Sequence, residues 1–177
     1  MPTRSLTIPP DLPRRGAADP ALVIEEIGDY QCPYCRAAQP HVERLLEHYA
    51  QRVTLVWRNY PLPRHEHAAL AAEAALEARA QLGDDGFWRY HRVLFRNQHA
   101  LERDDLERYA EAFAIERRRF SRALELRIHR DAVERDVRYV DSLELPSFGT
   151  PAFLIDGDVF IGVYTFAELS SLVDQRL

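Results

Sequence analysis

The order in which apolar positions change their period along the chain sets the expected architecture. Residues 21–27, Ala-Leu-Val-Ile-Glu-Glu-Ile, are rich in β-branched side chains and bounded by Asp-Pro before and Gly-Asp after, which predicts a central strand. From Pro33 to about Gln51, the positions Ala37, Val42, Leu45, Leu46 and Tyr49 recur at helical spacing, with Pro40 inside the pattern expected to remove one hydrogen bond and kink the helix. Residues 53–58 alternate poorly but are β-rich, and they stop at Pro61-Leu62-Pro63, as a second buried strand would. Strand, helix, strand predicts a βαβ unit, whose functional edge lies at the C-terminal ends of its strands.

Between about residues 65 and 143 no β-rich run occurs and the period is helical throughout. An alanine-rich segment over 66–82 ends at Gly83-Asp84-Asp85-Gly86. Phe87, Trp88, His91, Leu94 and Phe95 form an aromatic face. Asp104 with Glu107 resembles a capping box opening a helix that carries Leu106, Tyr109, Ala110 and Phe113. Helices over 116–126 and 131–143 complete a small helical subdomain. The pattern then returns to β: residues 152–155 and 159–162 flank Asp156-Gly157-Asp158, a strong hairpin signal, and a last helix is predicted over 165–176. Before all of this, residues 1–20, with Pro9, Pro10, Pro13 and Pro20, read as an extended arm.

Composition narrows the picture modestly. With 177 residues and 46% apolar side chains the chain supports one sizeable core. A net charge of −5, from 23 basic and 28 acidic residues, gives no electrostatic reason to expect nucleic acid, and the arginines are interleaved with acids as on solvated helix faces. No stretch approaches a membrane span. Residues 1–16 hold Arg4, Arg14 and Arg15 without an apolar centre, so they do not read as a secretory signal, and a cytoplasmic location is expected. A periplasmic or secreted location is the alternative if a leader had been removed.

The candidate chemistry lies where the first strand gives way to the first helix. Cys32 and Cys35 are the two cysteines of the chain, three positions apart, and Pro33 sits where a helix tolerates proline best. The unpaired N–H groups and positive dipole end of a first helical turn stabilise a thiolate, so Cys32 is the expected accessible nucleophile and Cys35 the resolving thiol. A zinc site would need two further ligands, and His65 and His67 are spaced more closely than zinc-finger histidines, so no metal is expected. A purely structural disulfide over so short a loop would stabilise little. Glu25 and Glu26 point to opposite faces of their strand, so at least one carboxylate heads into a packed layer; an acid that reaches solvent or an arginine is the plain alternative to a working acid. Pro151 opens the first hairpin strand, a position compatible with a cis bond.

Together, Cys32-Pro33-Tyr34-Cys35 after a strand, Pro40 five residues beyond, Glu26 six residues before, Gly149-Thr150-Pro151 ahead of a hairpin and the helical insertion resemble the DsbA-like branch of the thioredoxin superfamily. The resemblance implies an α/β thioredoxin-like fold as a single domain over 21–177, with a helical insertion over about 65–143. It implies a thiol–disulfide oxidoreductase in which a mixed disulfide forms at Cys32 and is resolved by Cys35, with Pro151 as the cis proline facing the pair and Glu26 as the buried acid relaying Cys35's proton. Pro33, Tyr34, Thr150 and Phe148 are the expected substrate contacts. The implied partners are protein or peptide thiols and disulfides, with glutathione as a small-molecule alternative, and a redox partner protein; no cofactor is implied. The best-known oxidant of that branch has Pro-His between its cysteines, whereas Pro33-Tyr34 is similar to the pair of glutaredoxins. Tyr34 brings no cation to Cys32, which predicts a less depressed thiol pKa and, in a cytoplasmic setting, a reductase. Two other classes remain: a glutathione-dependent isomerase or transferase on the same fold, against which the intact Cys35 argues, and a metal-binding module.

Overall fold

The computed structural model describes residues 9–145 and 147–177, so the first eight residues of the arm and Pro146, which opens the run before the hairpin, lie outside the described residues. A five-stranded sheet runs in the order β1-β3-β2-β4-β5, with β1 Arg14–Gly16, β2 Leu22–Gly28, β3 Val53–Asn59, β4 Ala152–Ile155 and β5 Asp158–Ile161. β2 and β3 pair in parallel across α1 (Pro33–His48), and β4 pairs antiparallel with β2, so the predicted βαβ unit and hairpin share one sheet. Gly28 ends β2 where a Cβ would meet the Trp57 indole at 2.3 Å, a close approach that only glycine permits.

β1 is the element that the sequence did not announce. Arg14-Arg15-Gly16 has no β-rich composition; it joins the sheet through backbone pairing with β3, and at Gly16 (φ 127°) a Cβ would strike the Val53 carbonyl oxygen at 2.3 Å. Part of the predicted arm is therefore an edge strand. Arg79 fastens the residues before it by donating to the carbonyls of Pro10, Asp11 and Leu12.

All seven residues of β3 are buried because helices cover both faces of the sheet, which is why the strand does not alternate. The larger core joins Leu22, Ile24, Leu55, Trp57 and Phe153 to α1, to α2 (Ala68–Arg96) and to α6 (Phe166–Asp174). A smaller one places Ile27 and Ala152 against Val140 of α5 (Arg130–Asp141). The two expected helices follow one another within α2, the second starting sooner than the Gly83–Gly86 run suggested. α2 is broken at a single residue, Gly83 (φ 70°, ψ −165°), and resumes at once, with Asp84 held by Arg79. The expected capping box also shifts: α3 (Arg103–Ala110) is capped by Glu102 and Asp105, while Glu107 bonds Arg103 and Ser121. α4 (Arg117–Glu125) is capped by the Glu116 carboxylate. Buried Glu73 and Glu77 of α2 bind this layer through Arg127, His129 and Arg119.

On the α5 face, Arg58 of β3 is buried between Glu25 and Asp136 and lies over the Tyr139 ring at 3.6 Å. Asp136 also accepts from the backbone and side-chain nitrogens of Asn59 at 3.0 and 3.1 Å. Removing that carboxylate leaves an arginine and a backbone N–H buried without it. Asp136→Ala is therefore expected to lower stability by about 3 kcal/mol in urea denaturation, with Asp136→Asn, which keeps one acceptor, losing about half as much.

Candidate active site

Cys32 is the N-cap of α1, in extended conformation (φ −72°, ψ 118°), and Pro33 is the first helical residue. The helix therefore points its unpaired first-turn N–H groups at the sulfur of Cys32. Both cysteines are free thiols in this structure. Cys32, expected to be accessible, is only 1% exposed: its thiol donates to the Thr150 carbonyl oxygen at 3.2 Å, so the segment before β4 covers it. Cys35 is fully buried, and its sulfur accepts from the Asp29 N–H at 3.4 Å. The Thr150–Pro151 bond is cis, and the Pro151 carbonyl is taken by the Gly162 N–H at 2.8 Å.

The two thiols differ sharply in acidity. The Cys35 thiol, as a hydrogen-bond donor, holds the Cys32 thiol down at about 5 from an ordinary 9.0; burial opposes this, and the Thr150 side chain and the backbone N–H groups of Cys35 and Tyr34 assist it. Burial, followed by the Cys32 sulfur, pushes Cys35 far above its ordinary range. Thr150 thus offers two groups: its carbonyl accepts from the thiol, and its buried hydroxyl, without a partner among the described residues, can donate to the thiolate. No cation takes part in the lowering at Cys32, which comes from Cys35, Thr150 and the N–H groups at the helix head. Tyr34 itself is 65% exposed and contributes its backbone N–H.

Glu26 resolves the question that strand alternation left open. Glu25 turns to Arg58, while Glu26 faces the larger core at 0% exposure. Its Oε1 accepts from Gln39 Nε2 at 2.8 Å, and its Oε2 is buried with no partner among the described residues. Burial raises its pKa from 4.5 to about 8; Gln39 lowers it and Glu43 raises it further.

Several residues at the site carried no sequence signal. Asp29, fully buried, accepts from Gln31 N–H, Leu62 N–H and His65 Nδ1 at 2.7, 2.7 and 2.6 Å, tying the loop after β3 to the cysteine turn. His65 spends that nitrogen on Asp29, and His67 offers its backbone N–H to Gln31. Among the described residues no group of three or more His, Cys, Asp and Glu side chains is placed to hold a metal ion. Gln98, in the turn after α2, donates to the carbonyls of Tyr30 and Cys32 at 2.8 and 2.9 Å and so braces the cysteine turn. Gln39 and His91 join the network through contacts 13 and 52 residues apart in sequence, which no local pattern reveals. Of the expected substrate contacts, Pro33 and Tyr34 are exposed beside Cys32, Thr150 covers it, and Phe148 packs on Tyr60 with ring centroids 4.8 Å apart.

Two cysteines at the head of a helix, opposed by a cis proline in a β-α-β sheet, match the thioredoxin family model over residues 10–175. The chain belongs to the thioredoxin family. Within it, the chain is DsbA-like, with a Cys-x-x-Cys pair and a helical layer between β3 and β4. A thioredoxin-like oxidoreductase from Silicibacter pomeroyi superposes with a TM-score of 0.82 at 25% identity, covering 94% of this chain and 92% of that one. BdbD from Bacillus subtilis, in its oxidised form, gives the same TM-score at 21% identity over 94% and 92% of the two chains. A curated relative described as a Na(+)/H(+) antiporter, NhaA 3 of Salinispora tropica, is 38% identical over 95% of this chain but only 26% of its own length. The chain thus spans about a quarter of the length of the antiporters it matches. Among the described residues no helix is long and apolar enough to cross a membrane.

Two outcomes follow from these pKa shifts. A carboxyl whose folded pKa lies above its unfolded value costs nothing below 4.5 and destabilises the native state as pH rises toward about 8. Glu26→Gln is therefore expected to match the parent at low pH and to exceed it by roughly 4 kcal/mol at and above the upper limit, in urea melts of both proteins. Second, thiolate absorbance should report a single transition near pH 5 that disappears in Cys32→Ser, whereas Thr150→Val, lacking the hydroxyl, should move it upward by roughly one unit.

Proposed function

We propose that this chain is a thiol–disulfide oxidoreductase that acts on polypeptides and works chiefly as an oxidant of substrate thiols. The observation that carries the reading is the asymmetry of the pair: Cys32 at the helix head beside Thr150–Pro151, Cys35 buried behind it. Stabilising the Cys32 thiolate stabilises the dithiol relative to the disulfide, so the disulfide form readily gives up its bond. A substrate thiolate attacks the Cys32 sulfur of the disulfide form, the Cys32–Cys35 bond breaks, and Cys35 leaves with the electron pair and takes a proton from Glu26. A second substrate thiolate then attacks the substrate sulfur of the mixed disulfide, and Cys32 leaves as the thiolate its surroundings favour. The substrate leaves oxidised by two electrons and the pair remains as the dithiol. Run backwards, the same steps reduce a disulfide: Cys32 attacks and Cys35, giving its proton to Glu26, resolves.

The substrate lies across the Thr150 side of the site. Its backbone N–H groups replace the Cys32 thiol at the Thr150 carbonyl, with Pro33, Tyr34 and Phe148 as the surrounding surface. An extracytoplasmic setting suits an oxidant, and a structural neighbour from Salmonella enterica, at 21% identity, is described as periplasmic; the cytoplasmic setting expected from residues 1–16 finds no support among the neighbours. Ion transport belongs to the names of the longer antiporters and forms no part of this proposal.

Oxidation of a reduced two-cysteine peptide tests the reading. Cys32→Ser is expected to fall to the uncatalysed rate, and Cys35→Ser to accumulate a mixed disulfide visible by mass. A Cys32–Cys35 midpoint above about −150 mV in a glutathione titration supports the oxidising direction, and one below about −250 mV would reverse it.

A further inference from the structure

Behind the cysteine pair a line of buried side chains runs from Tyr30 to Glu26. The Tyr30 hydroxyl lies 3.0 Å from His91 Nδ1, His91 Nε2 lies 3.0 Å from Gln39 Oε1, and Gln39 Nε2 lies 2.8 Å from Glu26 Oε1. That same Gln39 nitrogen is 3.3 Å from the Cys35 carbonyl oxygen. One end of the Gln39 amide thus faces two acceptors, so it must be the amino end. Its oxygen end then needs a donor, which places the His91 hydrogen on Nε2 and leaves Nδ1 to accept from Tyr30. Every hydrogen bond in the line points toward Glu26. Burial, with Arg92 and Arg15 nearby, holds the His91 imidazole neutral by lowering its pKa to about 3, and burial raises the Tyr30 phenol, so the line keeps one polarity.

That polarity decides where a proton can sit. Oε1 of Glu26 receives an N–H, so the neutral acid carries its hydrogen on Oε2, the oxygen without a partner among the described residues. Gln39 has a second side as well. It is half-buried and lines an open cleft of about 310 Å³ between α1 and α2, with Arg36, Pro40, Arg92 and Phe95, whereas Glu26 has no exposure at all. Gln39 therefore stands between the carboxyl and the nearest solvent.

We propose that Gln39, clamped by His91 and Tyr30, is a positioning residue that keeps the exchangeable proton of Glu26 on Oε2 and serves as the door between that carboxyl and the α1–α2 cleft. The inference rests on the reading of Glu26 as proton acceptor for Cys35. During resolution the Cys35 thiol gives its proton to Oε2, and its thiolate attacks the Cys32 sulfur. The bond from Cys32 to the substrate sulfur breaks, and the substrate leaves as a thiolate. Glu26 then passes the proton to water from the cleft when Gln39 swings aside. The titratable or charged groups facing this line are Cys35 and Glu43 from α1, Tyr30 from the turn before it, Tyr90, His91 and Arg92 from α2, and Arg15 from β1, with Arg36 and Arg96 on the cleft side. Glu43 is itself paired with Arg15 at 2.7 Å and Arg92 at 3.8 Å, and the residues in register with Glu26 on β3 and β4 are Trp57 and Phe153, neither of which titrates near neutral pH.

The test loads Cys32 of the reduced full chain with a 5-thio-2-nitrobenzoate adduct and follows its release as Cys35 resolves it, across the neutral and mildly alkaline range. Release in the parent should rise with pH around the Glu26 midpoint near 8. Gln39→Leu removes the N–H that favours the carboxylate, so the midpoint should move up by about one pH unit and release at neutral pH should slow about tenfold. His91→Phe, which keeps the ring packing, should shift it the same way by less, and Tyr30→Phe least. Unchanged midpoints in Gln39→Leu and His91→Phe, with the pH dependence lost in Glu26→Gln, overturn the role of Gln39 and leave Glu26 as acceptor. A Glu26→Gln profile identical to the parent overturns the Glu26 reading itself. Should His91→Phe misfold, Gln39→Leu and the Glu26 carboxyl titration by ¹³C NMR decide the matter alone.

Discussion

The hydrogen bond that Cys35 offers to the sulfur of Cys32 is the interaction on which the rest of the site depends. It converts two chemically identical thiols, one helical turn apart, into a pair with opposite tendencies: one holds a negative charge at low cost and the other resists it. The surroundings are arranged to preserve that difference. The head of α1 supplies N–H groups on one side, Thr150 covers the other, and Asp29 holds the turn between β2 and α1 by spending its backbone on Cys35 and its carboxylate on the loop after β3. Gln98 reaches from the turn after α2 to the same place. The cysteines are thus fixed by four separate segments of chain.

Glu26 shows what such an arrangement costs. A carboxyl with no exposure and, among the described residues, a single amide donor and one unpartnered oxygen is an unfavourable thing to fold around. On the opposite face of the same strand, Glu25 is satisfied by Arg58, which Asp136 also engages. The sheet therefore sets an arginine-paired acid and a buried, sparsely bonded one side by side on opposite faces. Ion pairs also hold the α5 side and the helical layer, where Arg127 and His129 engage the buried acids of α2. The core near the sulfurs is held by aromatic packing among Tyr30, Trp57, His91 and Phe95.

Much of this was legible in the residues. Cysteine spacing, proline placement, the β-branched run of β2 and the Asp-Gly hairpin are local signals, and each lands where its physics requires. What escaped is non-local. β1 pairs through its backbone, so its side chains carry no strand signature. Glu102 and Asp105 formed the cap instead of Asp104 and Glu107 because Glu107 was claimed by Arg103 and Ser121, the latter fourteen residues further on. The aromatic face around His91 was visible as core, yet nothing local marks that one of its members answers to Gln39 on another helix. The cover over Cys32 comes from Thr150, 118 residues away, which also adds to the lowering of its pKa by Cys35.

The break at Gly83 has a bearing on how this architecture can vary. Before it, α2 anchors Glu73 and Glu77 in the helical layer; after it, the same helix brings Phe87, His91 and Phe95 to the sheet side while Tyr90 still reaches Leu106 and Phe120 of the helical layer. A backbone angle open to glycine alone fixes the joint, and the space around it is clear, since a Cβ built there would meet nothing within 4 Å. The two lengths of α2 are in effect separate girders bolted at one point. What reserves position 83 for glycine is backbone conformation alone: a side chain there would have room around it and would still strain the joint.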